Sequence, residues 1–175
     1  TPTGPTNGDV TVTADVYAVG SGIDRLLWAA GTQTAAYFAS EGVPFADTFT
    51  VSENGIYTVY AKNLAGHEAV SAITIGNIDR SAPAIHLTAD PTSQTYGNVT
   101  VTADVYEAGS GIDRLLWAAG TQTEAYFAGE GVPFTDTFTV SENGIYTVYA
   151  QDRAGNEAVE SITIHQIATP APPTE

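Results

Sequence analysis

VTVTADV, residues 10–16, alternates without a break: Val10, Val12, Ala14 and Val16 fall on one side, and Thr11, Thr13 and Asp15 on the other. Successive side chains of an extended chain point to opposite faces, so this is the pattern of a strand with one face in a core and the other toward water. The same seven residues recur at Val99–Val105, an offset of 89. Extending outward at that offset, SGIDRLLWAAGTQT at Ser21–Thr34 falls on an identical string at Ser110–Thr123, and VSENGIYTVYA at Val51–Ala61 falls on Val140–Ala150. Between Asp9–Ile75 and Asn98–Ile164 the copies differ at 12 of 67 positions and need no gap, so both must build one fold around one kind of core. The period is longer than the roughly 20–50 residues of solenoid repeats, which need their neighbours, and fits a unit with a core of its own.

Further strands follow within each copy. IYTVYA at Ile56–Ala61 sets Tyr57, Val59 and Ala61 on one face, and SAITI at Ser71–Ile75 sets Ile73 beside Ile75; both read as antiparallel sandwich strands. Helical spacing is not sustained anywhere. Turn residues at Gly20–Gly22, Ala30–Gly31, Glu41–Pro44, Glu53–Gly55 and Ala65–Gly66 punctuate the chain. Counted from Pro83, the second copy holds about seven strands in about 80 residues, which is the signature of an immunoglobulin-like sandwich. The predicted fold is therefore all-β: tandem immunoglobulin-like antiparallel β-sandwiches of about seven strands each. Trp117 and Trp28 sit on the third strand where such sandwiches bury a Trp between sheets, leaving Arg114 and Leu116 facing outward, as does Leu27 in the first copy. Tyr146 and Tyr57, just after the Asn-Gly turns, occupy the place of a tyrosine corner, whose hydroxyl bonds back to the corner's backbone.

The repeats span 1–78 and 79–167, with a Pro-rich linker tail at 168–175. PAIHLTAD, Pro83–Asp90, reads as the first strand of the second copy. The offset carries its counterpart to a position before Thr1, so the first copy is expected to lack its first strand. An edge left open in this way invites a strand-exchanged dimer or edge-to-edge pairing. The join at Gly76–Ala82 is short and holds one glycine, which restricts bending.

Five Lys plus Arg against 20 Asp plus Glu give a net charge of −15, which repels nucleic acid and anionic lipid and sets both aside as partners. Hydrophobic residues make up 43%, so the acidity sits on a chain that can fold. Cys and Met are both absent, which removes disulfides and thiol chemistry and suits an oxidising exterior. No apolar stretch approaches the roughly 20 residues of a membrane helix, so no membrane contact is expected from this segment.

The runs SGIDRLLWA, FTVSENGIYTVYA and QDRAGNEAVESITI resemble the bacterial Ig-like repeats of surface-layer-associated and other cell-wall proteins of Gram-positive bacteria. The first copy departs from that pattern at Asn63, Leu64 and His67, where the second has Asp152, Arg153 and Asn156. The resemblance implies a spacer or adhesion role in an extracellular or cell-surface array. The resemblance names no ligand; the expected partners are the neighbouring domains of the parent protein, with a cell-wall glycan or a surface protein as a further candidate. It implies no enzyme.

Calcium is the cofactor for which the residues argue. In this fold the loop between the second and third strands and the last hairpin share a pole, which the chain enters from the preceding domain. For the second copy that pole gathers Glu107, Ser110, Asp152 and Asn156 near Asp79, and oxygen ligands of this kind suit Ca²⁺. Glu107 and Asp152 replace Ala18 and Asn63 of the first copy. The plainer reading is that Asp152 and Asn156 cap the hairpin turn through side-chain to backbone bonds. Catalysis finds little support: His67, His86 and His165 occupy non-equivalent positions in the repeat, and no triad or ligand set recurs. A Lys-based isopeptide cross-link is excluded for the second copy, where Gln151 stands in place of Lys62. A carbohydrate-binding alternative rests on Tyr37, Phe38, Tyr126 and Phe127, with Tyr17, Tyr60, Tyr106 and Tyr149 read as outward-facing.

Overall fold

The structure, a computed structural model, describes residues 3–169. The chain divides into two compact units between Asp79 and Arg80, so Asp79 closes the first unit. The first unit contains β1 (Val10–Thr13), β2 (Ile23–Ala30), β3 (Val43–Pro44), β4 (Thr48–Val51), β5 (Gly55–Asn63) and β6 (Glu68–Ile75). The second contains β7 (Ala84–Asp90), β8 (Val99–Tyr106), β9 (Ile112–Ala119), β10 (Val132–Pro133), β11 (Thr137–Val140), β12 (Gly144–Asp152) and β13 (Glu157–Ile164). All pairings between these strands are antiparallel.

In the second unit a three-stranded sheet, β11-β8-β7, faces a four-stranded one, β10-β9-β12-β13. The first unit has the same four-stranded sheet, β3-β2-β5-β6, but among the described residues its other sheet holds β1-β4, with no strand in the place of β7. This is the tandem Ig-like sandwich the alternation predicts, with no first strand among the described residues of the first copy.

The inner faces close as expected. Val99, Val101, Ala103, Phe138, Val140, Tyr146, Val148 and Ile164 form one buried cluster, and Val10, Val12, Phe49, Val51, Tyr57 and Ile75 form its counterpart. Trp117 stacks on Phe138 with ring centroids 4.4 Å apart, and Trp28 on Phe49 at 4.6 Å. The tyrosine corner is made in both units: the Tyr146 hydroxyl donates to the Glu142 carbonyl at 2.8 Å and that of Tyr57 to Glu53 at 2.7 Å.

The outer face of the four-stranded sheet corrects the sequence reading. Leu27, Leu116, Tyr60 and Tyr149 do point away from the inner core, yet all four are buried. The connection after β2 and β9 folds back over the sheet in a short 3₁₀ turn, Tyr37–Ala39 and Glu124–Ala128, and lays Phe38 or Phe127 on that face. Each unit thereby gains a second small core: Leu116, Ala118, Phe127 and Tyr149, matched by Leu27, Ala29, Phe38 and Tyr60. Phe127 stacks on Tyr149 and Phe38 on Tyr60, each at 5.1 Å. Two devices hold the turn in place. Buried Thr147 donates to the Gly120 carbonyl at 2.7 Å and accepts from the Gln122 amide at 3.1 Å, and Thr58 makes the same pair with Gly31 and Gln33. Gly131, at φ +105°, passes so close that a Cβ there would lie 2.8 Å from the Phe127 ring, so only glycine fits.

The chain after each last strand is also tied to its own unit. Asn54 accepts from the Ile78 amide at 2.9 Å and donates to its carbonyl at 2.7 Å, and Asn143 does the same to Ile167. Part of the join read as a linker, Asn77–Asp79, is thus bonded into the first unit, where Asp79 N–H donates to the Thr6 carbonyl at 2.8 Å. Ala168 likewise donates to Thr95, and residues 170–175 of the Pro-rich tail lie outside the described residues.

Candidate functional site

Of the residues proposed for calcium, Glu107, Ser110, Asp152 and Asn156 belong to the second unit and Asp79 to the first. Within the second unit they serve the two loops at one pole. Glu107 follows the end of β8, and its carboxylate accepts from the amides of Gly109, at 2.6 Å, and Gly111. Asp152 ends β12 and is only 1% exposed. Its Oδ1 accepts from the Asn156 amide at 2.8 Å and its Oδ2 from the Asn156 side-chain nitrogen at 2.7 Å. Ser110 Oγ accepts from the Ala154 amide at 3.2 Å, and the Arg153 amide donates to the Gly111 carbonyl at 2.9 Å, joining the two loops.

The four residues are therefore brought to one pole, and the capping arrangement is built. In the first unit, Asn63 caps the same turn with a neutral side chain, accepting from the amides of Ala65 at 3.0 Å and His67 at 2.9 Å. Each carboxylate oxygen has more than one lone pair, so the capping bonds leave acceptor capacity. Ca²⁺ wants six to eight oxygens, and the carboxylates Glu107 and Asp152 would supply a minority of them.

The aromatic residues named for carbohydrate stacking are split by the structure. Phe38, Phe127, Tyr60 and Tyr149 are consumed by the outer cores, and Tyr37 and Tyr126 pack edge-on against the adjacent Phe at 5.2 Å. Tyr17 and Tyr106 remain exposed, at 86% and 71%. Tyr149 is tied down by its hydroxyl, which donates to Glu157 Oε1 at 2.5 Å, and by the Arg114 guanidinium 5.8 Å over its ring. Burial, and next the bond to Glu157, keep this hydroxyl protonated well above the usual tyrosine pKa; the Tyr60–Glu68 pair raises Tyr60 for the same reasons. Arg114 also donates to the Phe127 carbonyl at 3.2 Å and so clamps the 3₁₀ turn. Sequence reasoning missed this second role of the aromatics. The signal was present in Tyr-Phe followed by Glu-Gly-Val-Pro, an apolar pair in a loop that otherwise had no reason to carry one.

A groove of about 360 Å³ opens on the first unit between its two sheets, lined by Val12, Ala14 and Val16 on one side and Val59, Ser71 and Ile73 on the other. Its walls are the inner faces of the sandwich at the edge where β7 lies in the second unit. Among the described residues, no helix is long and apolar enough to cross a membrane.

No protein-family model matches the chain, and no curated protein matches it. Among solved structures, the three N-terminal domains of the bacteriophage RB49 Highly Immunogenic Outer Capsid protein (Hoc) are similar at 17% identity, with a TM-score of 0.46. That likeness covers 91% of this chain and 55% of the phage chain, so this chain spans little more than half of it.

Proposed function

We propose that the chain is a non-catalytic tandem Ig-like module of a bacterial extracellular or cell-surface protein, acting as a spacer that projects or tethers other domains. The observation that carries this reading is how the side chains are used. Trp28, Phe38 and Tyr60, and their counterparts Trp117, Phe127 and Tyr149, all pack within their own unit. Large aromatics of this kind are what an adhesion or sugar-stacking surface would present. Two copies with separate cores also need only a common fold to serve as spacers. The test is retention of the chain on purified cell-wall glycan and on arrayed oligosaccharides. Passage without retention is expected, and saturable binding lost on replacing Tyr17 and Tyr106 by Ala would replace the spacer by the adhesion alternative.

A second reading, Ca²⁺ held with the help of Glu107, Asp152 and Asn156, is favoured by one observation: a carboxylate, Asp152, is buried where the first unit manages with neutral Asn63. Thermal unfolding in millimolar Ca²⁺ and then in chelator tests it, because a ligand of the folded state raises the midpoint by mass action. On this reading calcium raises the second unit's midpoint and Asp152→Asn abolishes the rise. In chelator the same variant changes stability by no more than about 0.5 kcal/mol, since Asn caps the turn as in the first unit. A midpoint indifferent to calcium leaves Asp152 as a turn cap.

A further inference from the structure

We propose that Asn54 and Asn143 are modification sites: each deamidates through a cyclic imide formed with the glycine after it, and so unlatches the segment that follows the last strand of its own unit. Asn54 grips Ile78 with both ends of its amide, at 2.9 and 2.7 Å, and Asn143 grips Ile167 at 3.0 and 2.7 Å. Both Asn residues are exposed, so water reaches them. The glycines that follow have no conformational reason to be there. Gly55 and Gly144 open β5 and β12, and neither has the positive φ that favours glycine. A Cβ at Gly144 would meet nothing within 4 Å, and one at Gly55 would lie 3.9 Å from the Tyr57 ring, an ordinary contact. Glycine weakens a strand, so a residue with a side chain would serve the fold better. What glycine supplies instead is an unhindered backbone nitrogen next to the Asn side chain. The other Asn-Gly pair, Asn7–Gly8, has no counterpart in the second copy, where Tyr96 precedes Gly97, and the Gly8 amide is engaged in donating to Thr6 Oγ1 at 3.1 Å.

In the reaction the Gly55 nitrogen attacks Cγ of Asn54. The bond from that nitrogen to Cγ forms, the Cγ–Nδ2 bond breaks, and Nδ2 leaves as ammonia with the proton that the glycine nitrogen gives up. Water then opens the imide at either carbonyl. Opening at Cγ leaves aspartate; opening at the former main-chain carbonyl leaves isoaspartate, in which Cβ and Cγ have entered the backbone. Water is the co-reactant, and no electrons are exchanged. Attack requires the amide to turn away from Ile78, so the reaction proceeds from the unlatched state and its rate follows how often the latch opens. Closure is not recovered afterwards. A carboxylate has no proton to donate to the Ile78 carbonyl, and in isoaspartate the carbonyl that accepted from Ile78 has become main chain, so both bonds are lost. The added backbone carbon also falls inside the corner that the Tyr57 hydroxyl closes on Glu53. Each step has its equivalent at Asn143, Gly144, Ile167 and Tyr146. This inference is independent of the spacer reading, since a spacer and an adhesin would carry the same latch.

The experiment incubates the full chain in mildly alkaline buffer beside the synthetic peptide VSENGIYT, which is the sequence around both sites, and maps Asn, Asp and isoaspartate by proteolysis and mass spectrometry. The chain is expected to convert at Asn54 and Asn143, more slowly than the peptide in proportion to the time each latch stays closed. Gly55→Ala should slow conversion at Asn54 alone and Gly144→Ala at Asn143 alone, each with the thermal midpoint of its unit unchanged or raised. Converted chain, richer in negative charge, is collected by anion exchange. In its isoaspartate fraction the exchange protection of the Ile78 or Ile167 amide is expected to fall about tenfold. A native chain that stays unconverted while the peptide is consumed overturns the proposal. Isoaspartate formed with protection at Ile78 and Ile167 unchanged overturns it too, as does conversion at equal rates in chain and peptide, because neither outcome leaves a latch for the reaction to open.

Discussion

VTVTADVY forms a four-residue strand in the first unit and an eight-residue strand in the second. The sequence and its inward-facing pattern are the same, and the partner on the far side is what differs. Up to Thr13 and Thr102 both strings are held by the antiparallel strand β4 or β11, and one further bond follows in each, from Ala14 to Asp47 and from Ala103 to Asp136. Beyond that point only β7 can satisfy the backbone of the second copy, and the first copy leaves the strand. Strand propensity decides which residues can extend; hydrogen-bond partners decide how many do.

The largest expected effect tests what the units share. Phe38→Ala and Phe127→Ala each empty an outer core, so each should destabilise its own unit by about 3–5 kcal/mol. Calorimetry that resolves two transitions should show each variant lowering one of them by a similar amount. A loss produced by one of the two variants and not by the other would break the equivalence of the two outer faces. A smaller effect tests what separates the units: Leu87→Ala should cost the second unit about 2 kcal/mol, at the low end for a half-buried Leu, and leave the first unchanged. Exchange protection at Asp104–Tyr106 should fall with it, bringing β8 closer to β1 in behaviour.

The smallest effect sharpens the comparison in alkali. The Tyr149 pKa lies above the unfolded value of about 10, so the unfolded state loses its proton first. The stabilisation is whole below pH 10 and is lost as the pH climbs toward the folded-state value, at up to about 1.4 kcal/mol per pH unit. Tyr149→Phe should flatten this decline in the second unit's midpoint, and Tyr60→Phe should do so in the first. A decline that survives both variants would assign alkaline unfolding to other groups.

Much of the inner architecture was legible in the chain. Strict alternation at Val99–Val105, the Asn-Gly turns before Tyr57 and Tyr146, and Trp on the third strand report local rules, and each is found where it was expected, whereas the identical string at Val10–Val16 is strand only to Thr13. The outward assignment of Tyr60, Tyr149, Leu27 and Leu116 followed the same alternation and named the correct face. It could not show that a distant Phe returns to cover that face. At the pole of the second unit, residue types gave Asp152 and Asn156 an equal claim as ligands and as caps, and only their 2.7–2.8 Å bonds to each other show that the cap is built.

The sequence by itself determined the number of units and the inner face of the strands that alternate most clearly, because these depend on periodicity and turn chemistry within short stretches. The tertiary structure alone decided how far β1 runs, which outward aromatics are buried and what Asp152 holds. Each of these depends on which remote segment occupies a given edge or face, and two identical strings meet different neighbours.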